Sequence, residues 1–372
     1  MVNMKFSIER DALVKPLQHI VGVVERRQTL PVLSNVLLVC ENNQLILTTT
    51  DTEIEMVAQT TIDTVEAGRI TVPARKFYDI CRALPDHTQV DFVLDTEKQR
   101  AIIRSGKSRF NLSTLPADDF PNLQNIKPEF AFSIQQNQLK ELIEKTQFAM
   151  AQQDVRFYLN GLLLEVSDGK VCTVATDGHR LAYNESDQDI HPEKVLQVIL
   201  PRKGVTELGK VLEDNEEPVQ IELSNNHVRI GHPAITFTTK LIDGKFPDYK
   251  RVIPPESGHE VTADRVLLKQ ALSRASILSN EKYRGIRLAI KPGTLQAQAH
   301  NPEMEEAEEE MEVDYQGDEI VVGFNVTYLI DAISVIPTEK ARLVFNDANS
   351  SCLILADGEE STSKYVVMPM RL

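Results

Sequence analysis

No stretch of the chain approaches the roughly 18 uninterrupted apolar residues of a membrane span, and Met1 to Arg10 is polar, without the apolar region of a signal peptide. A soluble, cytoplasmic protein is the expectation. Cysteine is scarce. Cys40, Cys81, Cys172 and Cys352 stand singly among 372 residues, without the paired spacing of a zinc site or the density of a disulfide framework. Reduced core cysteines are expected, with no metal and no cofactor. An excess of positive charge is also missing: 40 Lys and Arg against 55 Asp and Glu leave a net charge of −15. That excludes a protein that coats nucleic acid by bulk attraction, because phosphate binding leaves a basic footprint. Any contact with nucleic acid has to be local and segregated.

At roughly 100–150 residues per domain, a chain of 372 residues holds about two to four domains. What it does contain is a threefold repeat. Leu13, Leu17, Ile20, Val21 and Val24 form an apolar stripe at helical spacing; Leu139, Leu142, Ile143, Thr146 and Met150 form a second, and Leu268, Ala271, Leu272, Ala275 and Leu278 a third. A strand-like run follows each, at Val36 to Val39, Leu162 to Val166 and Ile286 to Ile290. Next comes a polar turn: Thr50-Asp51-Thr52-Glu53, Thr176-Asp177-Gly178-His179 and Asn301-Pro302-Glu303-Met304. A second helix then recurs, from Val72-Pro73-Ala74 to Leu84, from Leu200-Pro201-Arg202 to Leu212, and from Gly323-Phe324-Asn325 to Ile336, with proline in the first two placed for a first helical turn. The copies close on Phe120-Pro121, Phe246-Pro247 and, more loosely, Met368-Pro369. Boundaries near 127 and 253 divide the chain into three α+β units, 1–127, 128–252 and 253–372.

Catalysis finds little support. Asp177 and His179 lie close enough for acid/base work, but no nucleophile motif, phosphate-cradling glycine loop or metal-spaced cluster completes them, and a structural turn whose Asp and His bond backbone groups is the better reading. Charge is more informative. Glu303, Glu305, Glu306, Glu308, Glu309, Glu310 and Glu312 form an acidic run, while Arg100, Arg104, Lys107 and Arg109 form a basic one, with Lys107 and Arg109 on one strand face and Phe110 and Leu112 on the other. If the first and third repeats meet between subunits, these patches complement each other and Phe110 and Leu112 can pack on Ile277 and Leu278. Unlike patches meeting head to tail close a ring. Arg26 and Arg27, then Arg75, Lys76 and Arg82, then Arg202, Lys203 and Lys210 ride the repeated helices. Taken singly they are ordinary solvated charges, but summed along one surface they form a positive track that touches phosphates without reading bases. The terminus Val366-Val367-Met368-Pro369-Met370-Arg371-Leu372 is unusually apolar, and its methionines suit an adaptable groove.

These residues resemble a known family, the bacterial β sliding clamp that serves as processivity subunit of DNA polymerase III. The resemblance runs from Met4 to Leu372 and is carried by Thr29-Leu30-Pro31, Val72-Pro73-Ala74-Arg75-Lys76-Phe77, Gln153-Asp154-Val155-Arg156, Thr176 to Ala182, Leu278-Ser279-Asn280-Glu281-Lys282 and Tyr365 to Leu372. It implies three tandem clamp domains per chain, with helices lining a central hole, antiparallel sheets outside, and a closed ring formed by a head-to-tail homodimer. The function it implies is non-catalytic, sequence-independent encirclement of duplex DNA. By resemblance, Arg27, Arg75, Gln153, Tyr158 and Lys203 approach DNA. A hydrophobic pocket maps onto Leu159, Thr176, Gly178, His179, Arg180, Leu181, Pro247, Arg251, Val252, Val366, Val367, Met368, Pro369, Met370 and Arg371. It implies docking there of short peptides from the DNA polymerase III alpha subunit, the clamp loader delta subunit, other DNA polymerases and repair proteins. The dimer interface it implies is Lys76, Arg100, Lys107, Arg109, Phe110, Leu112, Ile277, Leu278, Glu303, Glu305, Glu306, Glu308 and Glu309. The chain departs from the family pattern at Phe157, where tyrosine is common, and at Gln152, where some members have histidine; Phe157 lacks a hydroxyl that could reach DNA. A different class remains open, a peptide-binding adaptor that uses the same groove and never encircles DNA.

Overall fold

The computed structural model describes residues 4–25, 30–123, 126–358 and 362–371. Its element order repeats three times, with one additional strand, Asp63–Glu66, in the first copy. The first copy holds β1 (Lys5–Glu9), α1 (Arg10–Ile20), β2 (Asn35–Glu41), β3 (Gln44–Thr50), β4 (Ile54–Thr61), β5 (Asp63–Glu66) and β6 (Gly68–Pro73). It closes with α2 (Ala74–Ala83), β7 (Gln89–Asp95), β8 (Arg100–Ser105) and β9 (Ser108–Ser113). The second holds β10 (Phe130–Gln135), α3 (Gln136–Glu144), β11 (Gly161–Ser167), β12 (Lys170–Thr176), β13 (Arg180–Asp187) and β14 (Leu196–Pro201). It ends on α4 (Arg202–Val211), β15 (Pro218–Leu223), β16 (His227–Gly231) and β17 (Ile235–Lys240). The third holds β18 (His259–Asp264), α5 (Arg265–Ser276), β19 (Gly285–Lys291), β20 (Thr294–His300), β21 (Glu306–Glu312) and β22 (Ile320–Asn325). Its last elements are α6 (Val326–Ser334), β23 (Lys340–Phe345), β24 (Cys352–Ala356) and β25 (Ser363–Val367).

The helices form where apolar residues recur at three- and four-residue spacing, and those residues are buried: Leu13, Leu17 and Ile20 in α1, and Leu268, Ala271, Leu272 and Ala275 in α5. The first stripe breaks into a short 3-10 turn at Val21–Val23, so Val24 lies beyond the helix. The prolines ahead of the second helices sit differently from the expectation. Pro73 and Pro201 are the last residues of β6 and β14, with Pro73 as N-cap of α2, so each ends a strand instead of starting a helical turn. Side-chain caps appear in the third copy, where Asp264 accepts from the Leu267 N–H (2.8 Å) and Asn325 from the Thr327 N–H (2.9 Å).

The chain gathers into two compact units, Met1–Asn137 with Thr206–Leu241, and Gln138–Val205 with Ile242–Leu372. The first unit holds a five-stranded sheet, β5-β1-β7-β8-β9, and an eight-stranded sheet, β10-β15-β16-β17-β4-β3-β2-β6. The second holds an eight-stranded sheet, β14-β11-β12-β13-β25-β24-β23-β18, and a four-stranded sheet, β21-β20-β19-β22. Each eight-stranded sheet is made of two four-stranded halves from successive repeats. The joins are antiparallel and equivalent, β4 with β17 and β13 with β25. β21 and β9 hold the corresponding places in the third and first repeats, and both are edge strands. In the first unit Phe6 stacks on Phe92 at 4.8 Å between ring centres and Phe77 meets Phe92 edge-on; in the second, Phe324 packs on Phe345 and Phe148 on Tyr365. Among the described residues, no helix is long and apolar enough to cross a membrane.

Candidate binding groove and charged surfaces

The turn between β12 and β13 is built by two side chains. The Thr176 hydroxyl donates to the Arg180 carbonyl and accepts from the Gly178 N–H, while one Asp177 oxygen accepts from the N–H groups of His179 and Arg180. The backbone turns through Gly178 at φ +90°, a conformation that favours glycine. The carboxylate that looked available for acid/base chemistry is thus a turn element, also bonded to the Arg180 Nε (3.1 Å). Beside this turn, β25 pairs Val367 with Arg180 and Val366 with Leu181. The tail then continues along the fold, its Met368 N–H donating to the His179 carbonyl (2.9 Å) and its Met370 N–H to the Gly323 carbonyl (2.8 Å).

Segments far apart in sequence therefore meet here. Leu181 and Val366 share a core cluster with Phe246 and Tyr249, against which Tyr158 and Val252 pack. Leu159 stands in the 3-10 turn Phe157–Leu159, and Pro247 follows the buried Phe246. Leu159, Thr176, Leu181, Val366 and Val367 are buried; Gly178, Arg180, Pro247, Val252, Pro369 and Met370 are half-buried; His179, Arg251, Met368 and Arg371 are exposed. Arg251 pairs with Asp248 at 2.9 Å. Arg180 is held from several sides. Its guanidinium donates to Asp331 (2.5 Å) and to the Phe148 carbonyl (2.8 Å) and lies 4.4 Å from the Tyr328 ring centre, which fixes it beside the turn.

The linker 242–253 is fastened to the same sheet by a buried carboxylate. Glu165, 3% exposed, accepts from the Tyr249 hydroxyl (3.0 Å), Gln197 (2.6 Å) and Lys250 (3.4 Å). Burial pushes the neighbouring Cys172 thiol up to about 12, and Cys81, in the other unit, likewise to about 12. These thiols stay protonated and inert.

The charged edges lie one in each unit. On β21, Glu306, Glu308, Glu310 and Glu312 face solvent, whereas Ala307, Glu309 and Met311 are half-buried, and Glu309 takes a bidentate pair from Arg274 of α5 (2.8 and 2.7 Å). Glu303 and Glu305 are exposed in the preceding turn, and Ile277, just past α5, is 74% exposed with half-buried Leu278 beside it. On β8 and β9, Arg100, Arg104 and Arg109 are exposed, Phe110 is half-buried and Leu112 is only 7% exposed, packed into its own sheet. Lys107 lies in the hairpin turn beside Gly106, which has φ +55°, so it is off the strand on which alternation had placed it.

Of the residues expected near DNA, Arg27 falls outside the described residues. Arg75 and Lys76 are exposed in the first turn of α2, with Arg75 donating to the Val24 carbonyl. Lys203 is half-buried on the first turn of α4. Gln153 is exposed at φ +56° in a loop where Arg156 clamps Asp154. Tyr158 packs inward against the linker, while Val155 and Phe157 are 87% and 73% exposed. Lys269 and Arg274 ride α5; α6 carries no basic residue.

Three family models match the chain in succession: DNA polymerase III beta subunit, N-terminal domain, over residues 4–124, its central domain over 133–248 and its C-terminal domain over 250–371. The chain belongs to this family. The beta sliding clamp of Pseudomonas aeruginosa is 53% identical over 370 residues, spanning 99% of this chain and all of that protein; that of Escherichia coli K12 is 47% identical over 372 residues, with the same coverage. The crystal structure of a DnaN sliding clamp (DNA polymerase III subunit beta) from Pseudomonas aeruginosa bound to griselimycin matches with a TM-score of 0.95 at 52% identity, covering 100% of both chains. A second, from Caulobacter crescentus, reaches 0.94 at 39% identity with the same coverage.

In this beta subunit, sequence reasoning missed Phe148, Tyr328 and Asp331, the partners that fix Arg180, and Gly323, which receives the tail. Asp331 is 151 positions from Arg180 and nothing in local pattern links them. The one usable signal was the repeat itself: the counterpart of Arg180 in the first copy is Ile54, an apolar residue at the same turn.

Proposed function

We propose that this beta subunit acts as a ring of two chains joined head to tail, encircling duplex DNA without sequence preference and giving its polymerase processivity, with no catalytic step of its own. The observation that carries the ring is the pair of unjoined edges. β4 joins β17 and β13 joins β25, so the same join between β21 of one copy and β9 of another would extend the pattern and close a cycle. Edge charge agrees, since glutamates line β21 and arginines line β8 and β9. The segments 1–127, 128–252 and 253–372 are then three domains of one kind, and the interface draws on the acidic and basic residues above with Phe110, Leu112, Ile277 and Leu278.

Helices carrying Arg75, Lys203 and Lys269 would face the enclosed DNA, a local positive lining within an acidic body. Contacts to phosphates alone let the ring slide. The groove between the 176–181 turn and the 366–371 tail would take short extended peptides from the polymerase III alpha subunit, the clamp loader delta subunit, other polymerases and repair proteins, at about micromolar affinity so that partners exchange. The setting is the cytoplasm, where bacterial DNA is replicated. The decisive test loads the protein on nicked circular or linear DNA and washes at high salt, which screens charge but leaves a topological link intact. Retention on circles with loss from linear DNA is the expected result. Equal loss from both would reject encirclement and favour the peptide-binding adaptor.

A further inference from the structure

The first unit repeats the architecture of the peptide groove with different chemistry. The Thr50 hydroxyl donates to the Ile54 carbonyl (2.8 Å) and accepts from the Thr52 N–H (3.0 Å), as Thr176 does with Arg180 and Gly178. The Lys240 N–H donates to the Glu53 carbonyl at 2.8 Å, where the Met368 N–H meets the His179 carbonyl at 2.9 Å. Phe120 is buried ahead of Pro121 just as Phe246 is buried ahead of Pro247. At this place the first unit holds a cavity of about 370 Å³, lined among others by Thr52, Pro121, Leu123, His227 and Lys240.

The side chains that differ set the ligand. Thr239 and Lys240 stand where the other groove has Val367 and Met368. The Lys240 ammonium touches Glu53 at 3.1 Å, and both are exposed enough for a ligand carboxylate to displace Glu53 at little cost. The second feature is an unmatched atom. His227 Nδ1 lies 2.8 Å from the Asn226 side-chain oxygen, so it carries the proton, which leaves Nε2 a buried acceptor with no hydrogen-bond partner. Burial, then the Lys240 charge, lowers the His227 pKa, which keeps the ring neutral. Pro121 and Leu123 add a small apolar wall.

We propose that this cavity is a second peptide site, selective for an extended segment that bears a carboxylate: the acid on Lys240 and an aliphatic side chain against Pro121 and Leu123, beside the His227 ring. The inference rests on reading the equivalent groove of the second unit as a peptide site, and the test separates the two. Full-length protein labelled in its histidine rings is titrated with acetyl-Leu-Asp-Leu-amide and with acetyl-Leu-Asn-Leu-amide; His227 reports the new site and His179 the other groove. Saturable movement of the His227 signals by the Asp peptide is expected, at least about fivefold weaker for the Asn peptide, and lost in Lys240→Met with the remaining spectrum unchanged. Movement at His179 alone would overturn the second site and leave the first groove standing. No movement at either ring, or equal movement by both peptides at His227, would also overturn it.

Discussion

Arg180 holds three segments at once: the Asp177 turn, the Phe148 carbonyl and Asp331 of α6, with the Tyr328 ring beneath it. Its side chain is only 13% exposed. Replacing it by Met keeps the packing length but leaves two carboxylates and a carbonyl without their cation, so Arg180→Met should lower stability by about 2–4 kcal/mol. Urea unfolding measures this, and a change within about 0.5 kcal/mol would show that the network contributes little. Asp154 offers a test by pH. Hydrogen bonds from the Arg156 side chain, then from its backbone N–H, hold the Asp154 carboxyl down at about 2, below its ordinary 3.8. A depressed folded-state pKa stabilises above the unfolded value and is lost as pH falls through the folded one. The loop presenting Gln153 should therefore keep its conformation down to pH near 4 and lose it as the pH falls toward about 2. A carboxyl titration by NMR with a midpoint near 4 would contradict the clamp.

Among elements, the edge strands carry the sharpest expectation. Ile277 is 74% exposed in the single chain. Truncating it there costs the fold little, whereas at a packed interface loss of Ile277 and Leu278 to Ala removes about 2–5 kcal/mol per side chain. The double variant should fold normally and sediment as a monomer; an undiminished dimer would place the interface elsewhere. The same elements show what a linear sequence reveals. Helical stripes, the three turns and strands β2, β11 and β19 were legible because each is written in local period and turn chemistry. Lys107 was misplaced because alternation cannot tell a strand from the hairpin turn that follows it. The β4–β17 and β13–β25 joins were invisible, since pairing across repeats depends on partners more than a hundred residues away. The groove needed those joins: Leu181 and Val366 become neighbours only when β25 lies beside β13.

For the molecule as a whole, the prediction is mass. Light scattering from high micromolar to low nanomolar concentration should give twice the 41.9 kDa chain, because two complementary edges per chain leave no open end in a closed pair. A monomer throughout would remove the enclosure mechanism. The net charge of −15 fits the enclosed arrangement, with repulsion outside and attraction confined to the lining.

The pairing of β4 with β17 also sets a schedule for synthesis. β4 leaves the ribosome about 175 residues before the strand that covers it, an interval on the order of 10–35 s at common translation rates. Through that interval the nascent chain displays an open sheet edge with Ile54, Met56 and Ala58 along it, a template for misplaced pairing with a neighbouring polysome product. Slower translation of residues 62–234 should lengthen that exposure and raise aggregation without altering the finished protein.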